Sequence, residues 1–270
     1  VSPPAGPHRP LVGVGTAEPA WWQLDEAAYR AIADARCEVV KVMVPGLTPE
    51  HIARLRQINP NMVIMARLFG SGDELATPER FANHVRDNLR MAYAHGVRLA
   101  EVHNEPNLPG EGLGRYWRDG SAFAQWWLGV VGLLRSEFPE MRWGFPGLSP
   151  VANFHSFIGA AGAAVRAADW LGCHVYWDNK GSTWQDAHAA LVQFCHDHPD
   201  KDVWCTEFSR QVGTDKSRKA EEYRKFVEAP YPANLRGLIG FVLGRDGMAG
   251  WEEERWIHSQ IPAEVGKRAA

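Results

Sequence analysis

Apolar residues recur along the chain in two periods. Short apolar runs predict β-strands over residues 11–15, 38–44, 62–68, 97–102, 142–145, 170–176, 203–206 and 238–243. Between them, apolar positions return at helical spacing, and two of these stretches open on clear start signals. Thr48-Pro49-Glu50 and Thr77-Pro78-Glu79 each set a capping residue before proline at the first helical position. Further helices are predicted over residues 26–36, 121–138, 154–168, 184–197 and 216–228. No low-complexity segment or composition break marks a linker. Strand–helix alternation predicts parallel strands joined by helical crossovers. Eight strands in that order predict the α/β class, a closed (β/α)8 TIM barrel forming a single domain over residues 1–270. An open doubly wound sheet lacks support: Val12-Gly13-Val14-Gly15 carries two glycines of a dinucleotide fingerprint but not the third.

With 45% hydrophobic residues the chain can bury a full core. Its 29 Lys+Arg stand against 32 Asp+Glu with no basic run, which argues against nucleic acid as a partner. The longest apolar run, residues 126–134, is far too short to span a membrane. Cys37, Cys173, Cys195 and Cys205 lack metal-binding spacing and read as small buried hydrophobes. Cys173 and Cys195 are the one pair for which a bridge is considered, with free thiols the expectation. Composition does not define an oligomeric state.

Two short stretches carry the chemistry. His103-Asn104-Glu105-Pro106-Asn107 and Thr206-Glu207-Phe208 each place a glutamate where a predicted strand ends. At about 34 residues per unit, the two glutamates lie three units apart, which puts them on strands four and seven across one barrel mouth. Glycosidic bonds are cleaved by two carboxyl groups flanking the scissile bond, so the pair points to that reaction. On the sixth strand, alternation puts His174 and Tyr176 on one face, inward in a barrel. Arg67 ends the third strand and can supply a cation to Glu207. Twelve tryptophans are many for this length, and sugars stack on aromatic rings. Trp177 and Trp251, in or near strand-to-helix loops, are the expected sugar platforms.

The run Glu101-Val102-His103-Asn104-Glu105-Pro106-Asn107-Leu108 resembles the strand-four motif of clan A glycoside hydrolases, and Thr206-Glu207-Phe208 resembles their strand-seven motif. The wording is nearest to xylosidase- and iduronidase-type members, which carry Trp where His103 stands; the length is nearer to compact β-1,3-glucanases. The resemblance implies a retaining β-glycosidase with Glu105 as acid/base and Glu207 as nucleophile. It implies that Asn104 bonds the sugar 2-hydroxyl, that the Tyr176 hydroxyl bonds the nucleophile, and that His174 lies near the acid/base or substrate. The expectation is endo-action on an oligo- or polysaccharide, in a secreted or extracellular setting, with no cofactor and no metal. Two alternatives remain open: a catalytically silent carbohydrate-binding barrel, and a metal-dependent hydrolase using His103, His174 and Glu207. The second lacks a His-x-His pair on the first strand.

Overall fold

Eight parallel strands close on themselves in the computed structural model, which describes residues 9–19, 23–178, 180–211, 216–244 and 252–268. They are β1 (Leu11–Pro19), β2 (Val39–Met43), β3 (Val63–Leu68), β4 (Leu99–Val102), β5 (Arg142–Phe145), β6 (Trp170–Trp177), β7 (Asp202–Arg210) and β8 (Leu235–Gly240). Each pairs with its neighbour in sequence, and β1 pairs with β8 to complete the (β/α)8 barrel. The crossover helices are α1 (Glu26–Asp34), α2 (Pro49–Ile58), α3 (Pro78–Ala94), α4 (Gly120–Leu134), α5 (Phe154–Ala160), α6 (Gly162–Ala167), α7 (Trp184–Asp197) and α8 (Lys216–Glu228), with α9 (Ile261–Val265) after β8.

The helix starts follow local chemistry. Thr48 and His51 form a reciprocal capping pair at α2, Thr77 caps α3, and Thr183 pairs with Asp186 at α7. Three expectations shift. The helix predicted over residues 154–168 breaks into α5 and α6 at Ala161, where the poor helix formers Gly159 and Gly162 flank the break. The seventh strand runs on to Arg210 instead of ending near Thr206. The eighth runs from Leu235 to Gly240; beyond it Phe241 N–H still donates to Phe208 O on β7 and Leu243 N–H to Gly15 O on β1, while Val242 between them turns the other way, its N–H donating to Glu254 O and its O accepting from Trp256 N–H.

The core has two parts. Val39, Met65, Leu99, Trp170, Trp204 and Ile239 fill the barrel floor beneath its open end. A larger shell packs outward-facing strand residues against the helices. All four cysteines are free and buried, so Cys173 and Cys195 are not bridged. Among the described residues, no helix is long and apolar enough to cross a membrane.

Candidate active site

The site is built on strand ends at the C-terminal face of the barrel, where this fold collects its functional side chains. On β4, Leu99 and Glu101 face inward, and the chain then turns sharply. His103 and Glu105 both hold left-handed backbone, with φ of 75° and 38°. Such conformations cost a non-glycine residue about 1–2 kcal/mol and persist only where their surroundings enforce them. Here His103 N–H donates to Leu68 O at 2.8 Å, and Glu105 N–H donates to Gly147 O at 3.0 Å. Asn107 extends the clamp, exchanging hydrogen bonds with Ser149 in the loop after β5. The outcome is a Glu105 side chain aimed at the barrel axis, 14% exposed.

Glu207 reaches the same point by another device. Trp204 faces the barrel floor, so strict alternation would turn residue 207 outward. An irregularity between Cys205 and Phe208 resets the phase, and Glu207 comes level with His174 on β6. An extra residue in one strand does this wherever a side chain must be re-aimed. The Tyr176 hydroxyl donates to Glu207 Oε2 at 2.8 Å. His174 Nδ1 lies 2.9 Å from Glu105 Oε1 and 3.9 Å from Glu207 Oε2. One carboxylate oxygen from each glutamate and one His174 ring nitrogen lie within 4.8 Å of one another.

Cations keep the buried carboxyls of Glu207 and Glu101 ionised. Lys41, from the inward face of β2, donates to Glu207 Oε1 at 3.0 Å and reaches Glu101 Oε2 at 3.1 Å. Arg67 adds a longer contact to Glu207 Oε1, at 3.5 Å. Burial alone would push the Glu207 carboxyl up. Lys41, His174, Arg67 and the Tyr176 hydroxyl outweigh it and hold the group well below the usual carboxylate range. Burial likewise opposes ionisation of Glu101, and Lys41, His174 and Arg67 again bring it down. Tyr176 moves the other way: burial and the neighbouring Glu207 charge keep its hydroxyl protonated, as a donor must be.

The structure thus brings Glu105, Glu207, His174, Tyr176 and Arg67 together, with Asn104 buried beside Glu105 and its Oδ1 unpartnered among the described residues. Trp177 is a correction. One position beyond Tyr176, it faces outward and is 1% exposed. Its ring packs on Phe208 and Phe226, and its Nε1 donates to Glu222 at 3.0 Å. The alternation that turns His174 and Tyr176 inward assigns Trp177 to the shell under α8, so it is core and no sugar platform. Trp251 lies outside the described residues, as do Trp21 and Trp22. Trp117 is also buried, donating to Pro106 O.

His103 is not part of the cluster either. Its ring stacks on Phe69, packs by Trp117 and Trp126, and places Nε2 2.8 Å from Glu111 O. The ligand set His103, His174 and Glu207 is therefore not assembled. Glu105, His174 and Glu207 have the spacing of a metal set. Their facing atoms are already engaged with one another, with Tyr176 and with the Lys41 ammonium, which would repel a second cation.

Lys41 and Glu101 are absent from the residues predicted for the site. Their signal was present: each is a lone charge inside an apolar strand run, in phase with inward-facing neighbours. Gly147 is a further dependency. A Cβ there would fall 2.1 Å from His174 Cδ2 and 2.7 Å from Thr206 Oγ1. Gly147→Ala is expected to displace the His174 ring and destabilise the fold by about 1–3 kcal/mol, the usual cost of overpacking. Thermal unfolding and the rotational state of His174, read from its imidazole NMR signals, would check this.

No protein-family model matches the chain, and no curated protein matches it in sequence. Solved structures do match in shape. A GH128 (subgroup I) endo-β-1,3-glucanase from Amycolatopsis mediterranei, in complex with laminaripentaose, superposes with a TM-score of 0.62 at 14% identity, over 96% of this chain and 99% of that one. A GH128 (subgroup II) endo-β-1,3-glucanase from Sorangium cellulosum gives 0.63 at 14% identity, over 96% and 98%. What these matches share with the chain is the fold, a closed (β/α)8 barrel. A glucosidase from Croceicoccus marinus gives 0.64 at 13% identity, with 98% of this chain covering 68% of that one.

Proposed function

We propose that this barrel is a retaining glycoside hydrolase that cleaves within a β-linked polysaccharide, with β-1,3-glucan the first substrate to test. The observation that carries the proposal is the approach of Glu105 and Glu207 to within 4.8 Å, in a buried site that keeps Glu207 ionised. Retaining enzymes hold their two carboxyl groups about 5–5.5 Å apart, whereas inverting enzymes need about 6.5–9.5 Å to admit a water. The substrate reading rests on the two glucanases of matching size and shape, one of which holds laminaripentaose.

The roles follow from charge. Two carboxyls this close do not both ionise readily, and Lys41, Arg67 and Tyr176 favour the anion on Glu207. Glu207 therefore suits the nucleophile, and the acid/base role falls to Glu105. In the first step, Glu207 attacks the anomeric carbon while Glu105 protonates the departing glycosidic oxygen. A glycosyl ester forms on Glu207, and an alcohol leaves. Glu105, now a carboxylate, takes a proton from water as that water attacks the same carbon. The ester bond breaks, Glu207 regains its charge, and the sugar leaves with its original configuration. His174, hydrogen-bonded to Glu105, orients that carboxyl through both steps. The contact to the sugar 2-hydroxyl, which strengthens as positive charge develops on the ring, is assigned to Asn104, the neighbour of Glu105.

Hydrolysis of a laminarin oligosaccharide followed by proton NMR in the first seconds tests the whole reading. The β-anomer should appear first and the α-anomer only through mutarotation. Initial α-product would show inversion, and absence of hydrolysis across a panel of β-glucans, mannans and xylans would remove the enzymatic assignment.

A further inference from the structure

The aromatic platform expected at Trp177 has a counterpart nearby. Of the nine tryptophans among the described residues, eight are buried and Trp184 alone is half-buried. It stands in the first turn of α7, at the C-terminal face of the barrel. Its indole N–H is open to solvent and has no hydrogen-bond partner among the described residues. The setting is rigid. The Asp178 carboxylate accepts from the N–H groups of Lys180, Gly181 and Ser182 and pins the turn before α7, while Thr183 and Asp186 cap the helix reciprocally. The Trp184 ring lines an open groove of about 630 Å³ between α7 and α8, with Thr183, Gln185, Arg218, Glu221 and Lys225. Glu222 also lines it and ties the groove to the strands of the active site. Trp177, the residue after Tyr176, donates to Glu222 at 3.0 Å, and Arg210, which ends β7 beyond Glu207, reaches the same carboxylate at 3.4 Å.

Charge and shape define the ligand. The charges on the walls are paired with one another, Lys225 with Glu221 at 2.8 Å and Arg218 with Glu222 at 3.2 Å. No surplus of either sign is left to select an anion or a cation, and the walls around Trp184 are too polar for a lipid chain. What remains is an accessible indole ringed by planar amide and guanidinium groups, with Gln185 exposed at the rim. A neutral sugar matches that set, because its C–H face stacks on the ring while its hydroxyls meet the polar edge. The volume falls in the range of roughly 300–1,000 Å³ that small-ligand sites occupy, room for a short run of sugar rings. Building on the glycosidase reading, we propose that Trp184, Gln185 and Arg218 form a second carbohydrate site, outside the catalytic cleft, that holds a neutral β-linked glucan chain while Glu105 and Glu207 cut it. Both sites stand on one rigid barrel, so a chain held at the groove raises the effective concentration of the same polymer at the cleft. Substrates too short to reach both sites gain nothing.

Titration of Glu207→Ala protein, which binds without cutting, with a β-1,3-glucan hexasaccharide tests the site by NMR. The indole N–H signal lost in Trp184→Phe identifies Trp184, and it should shift with a Kd different from the one read at the His174 imidazole in the cleft. Gln185→Ala, a change at an exposed position, should raise the Kd read at Trp184 several-fold and leave the Kd read at His174 in place. In protein with both carboxyls intact, Trp184→Ala should lower kcat/KM on long soluble β-1,3-glucan about ten-fold and on the trisaccharide much less. A merely structural role for Trp184 would instead lower thermal stability and slow both substrates alike. Active wild type whose Trp184 signal ignores the hexasaccharide, or follows the His174 signals at a single Kd, overturns the second site alone. So does a Trp184→Ala variant with no loss specific to long chains. Wild type that hydrolyses no β-glycoside overturns the glycosidase reading, and the role of the groove in cutting with it.

Discussion

Glu207→Ala is expected to lower turnover of every substrate by roughly 10⁵-fold or more, the scale seen when a covalent nucleophile is removed. The reason is that in the proposed mechanism Glu207 is the group that forms the glycosyl ester. Glu105→Ala should behave differently. Natural substrates need their leaving oxygen protonated, but a nitrophenyl leaving group departs unaided. This variant should therefore retain the first step on nitrophenyl glycosides and accumulate the ester, because no base remains to activate water. Azide needs no base, so it should restore turnover and release a β-glycosyl azide. Product analysis by NMR reads the outcome directly. A β-glycosyl azide from Glu207→Ala together with an α-glycosyl azide from Glu105→Ala would exchange the two roles.

Lys41→Met should be the most damaging change outside the carboxyl pair. Lys41 is 1% exposed and ion-paired with both Glu101 and Glu207, so its loss removes the nearest cation from two buried carboxylates. Breaking one side of a buried ion pair typically costs about 3–5 kcal/mol. Activity should fall by at least about 10²-fold, the scale of removing one preorganised electrostatic group. The sign of the pH dependence separates this from simple misfolding. In the wild type both carboxyls are held below their unfolded values. Their contribution to stability is therefore complete above the unfolded carboxylate range and is lost only as pH falls through the lower folded values. Lys41 is the largest influence opposing burial at Glu101, so without it the folded value is expected to rise above the unfolded one. The folded state then binds the extra proton, and stability should fall as pH rises through the carboxylate range. Adding Glu101→Leu to Lys41→Met should recover much of the stability and little of the activity, because it removes the stranded charge without restoring the partner of Glu207. Denaturant unfolding at several pH values, alongside kcat/KM, tests both statements. A Lys41→Met protein with wild-type pH dependence of stability would refute this account of the ion cluster.

The sequence by itself determined whatever depends on neighbours along the chain. Eight alternations of strand and helix period fix the barrel, because each unit can bury its apolar face only against the next. Glu105 and Glu207 were legible through their strand-end positions and their separation by three units, and His174 and Tyr176 through period-two alternation. Trp177 was misplaced although the same alternation settles it: its position next to Tyr176 outweighs its position near a loop. Tertiary structure alone decided the rest. Lys41, Glu101 and Glu207 come from β2, β4 and β7, and only closure and register of the sheet bring their charges within 3.1 Å. The local irregularity that turns Glu207 inward has no mark in the hydrophobic pattern, since Thr206 and Glu207 are both polar. His103 looked like a site residue by motif, but its left-handed backbone sends the ring into an aromatic pocket shared with α3 and α4, which leaves Glu105 free to face the axis. Periodicity is a property of a few consecutive residues, whereas the charges on opposite walls of a barrel meet only after all eight strands have paired.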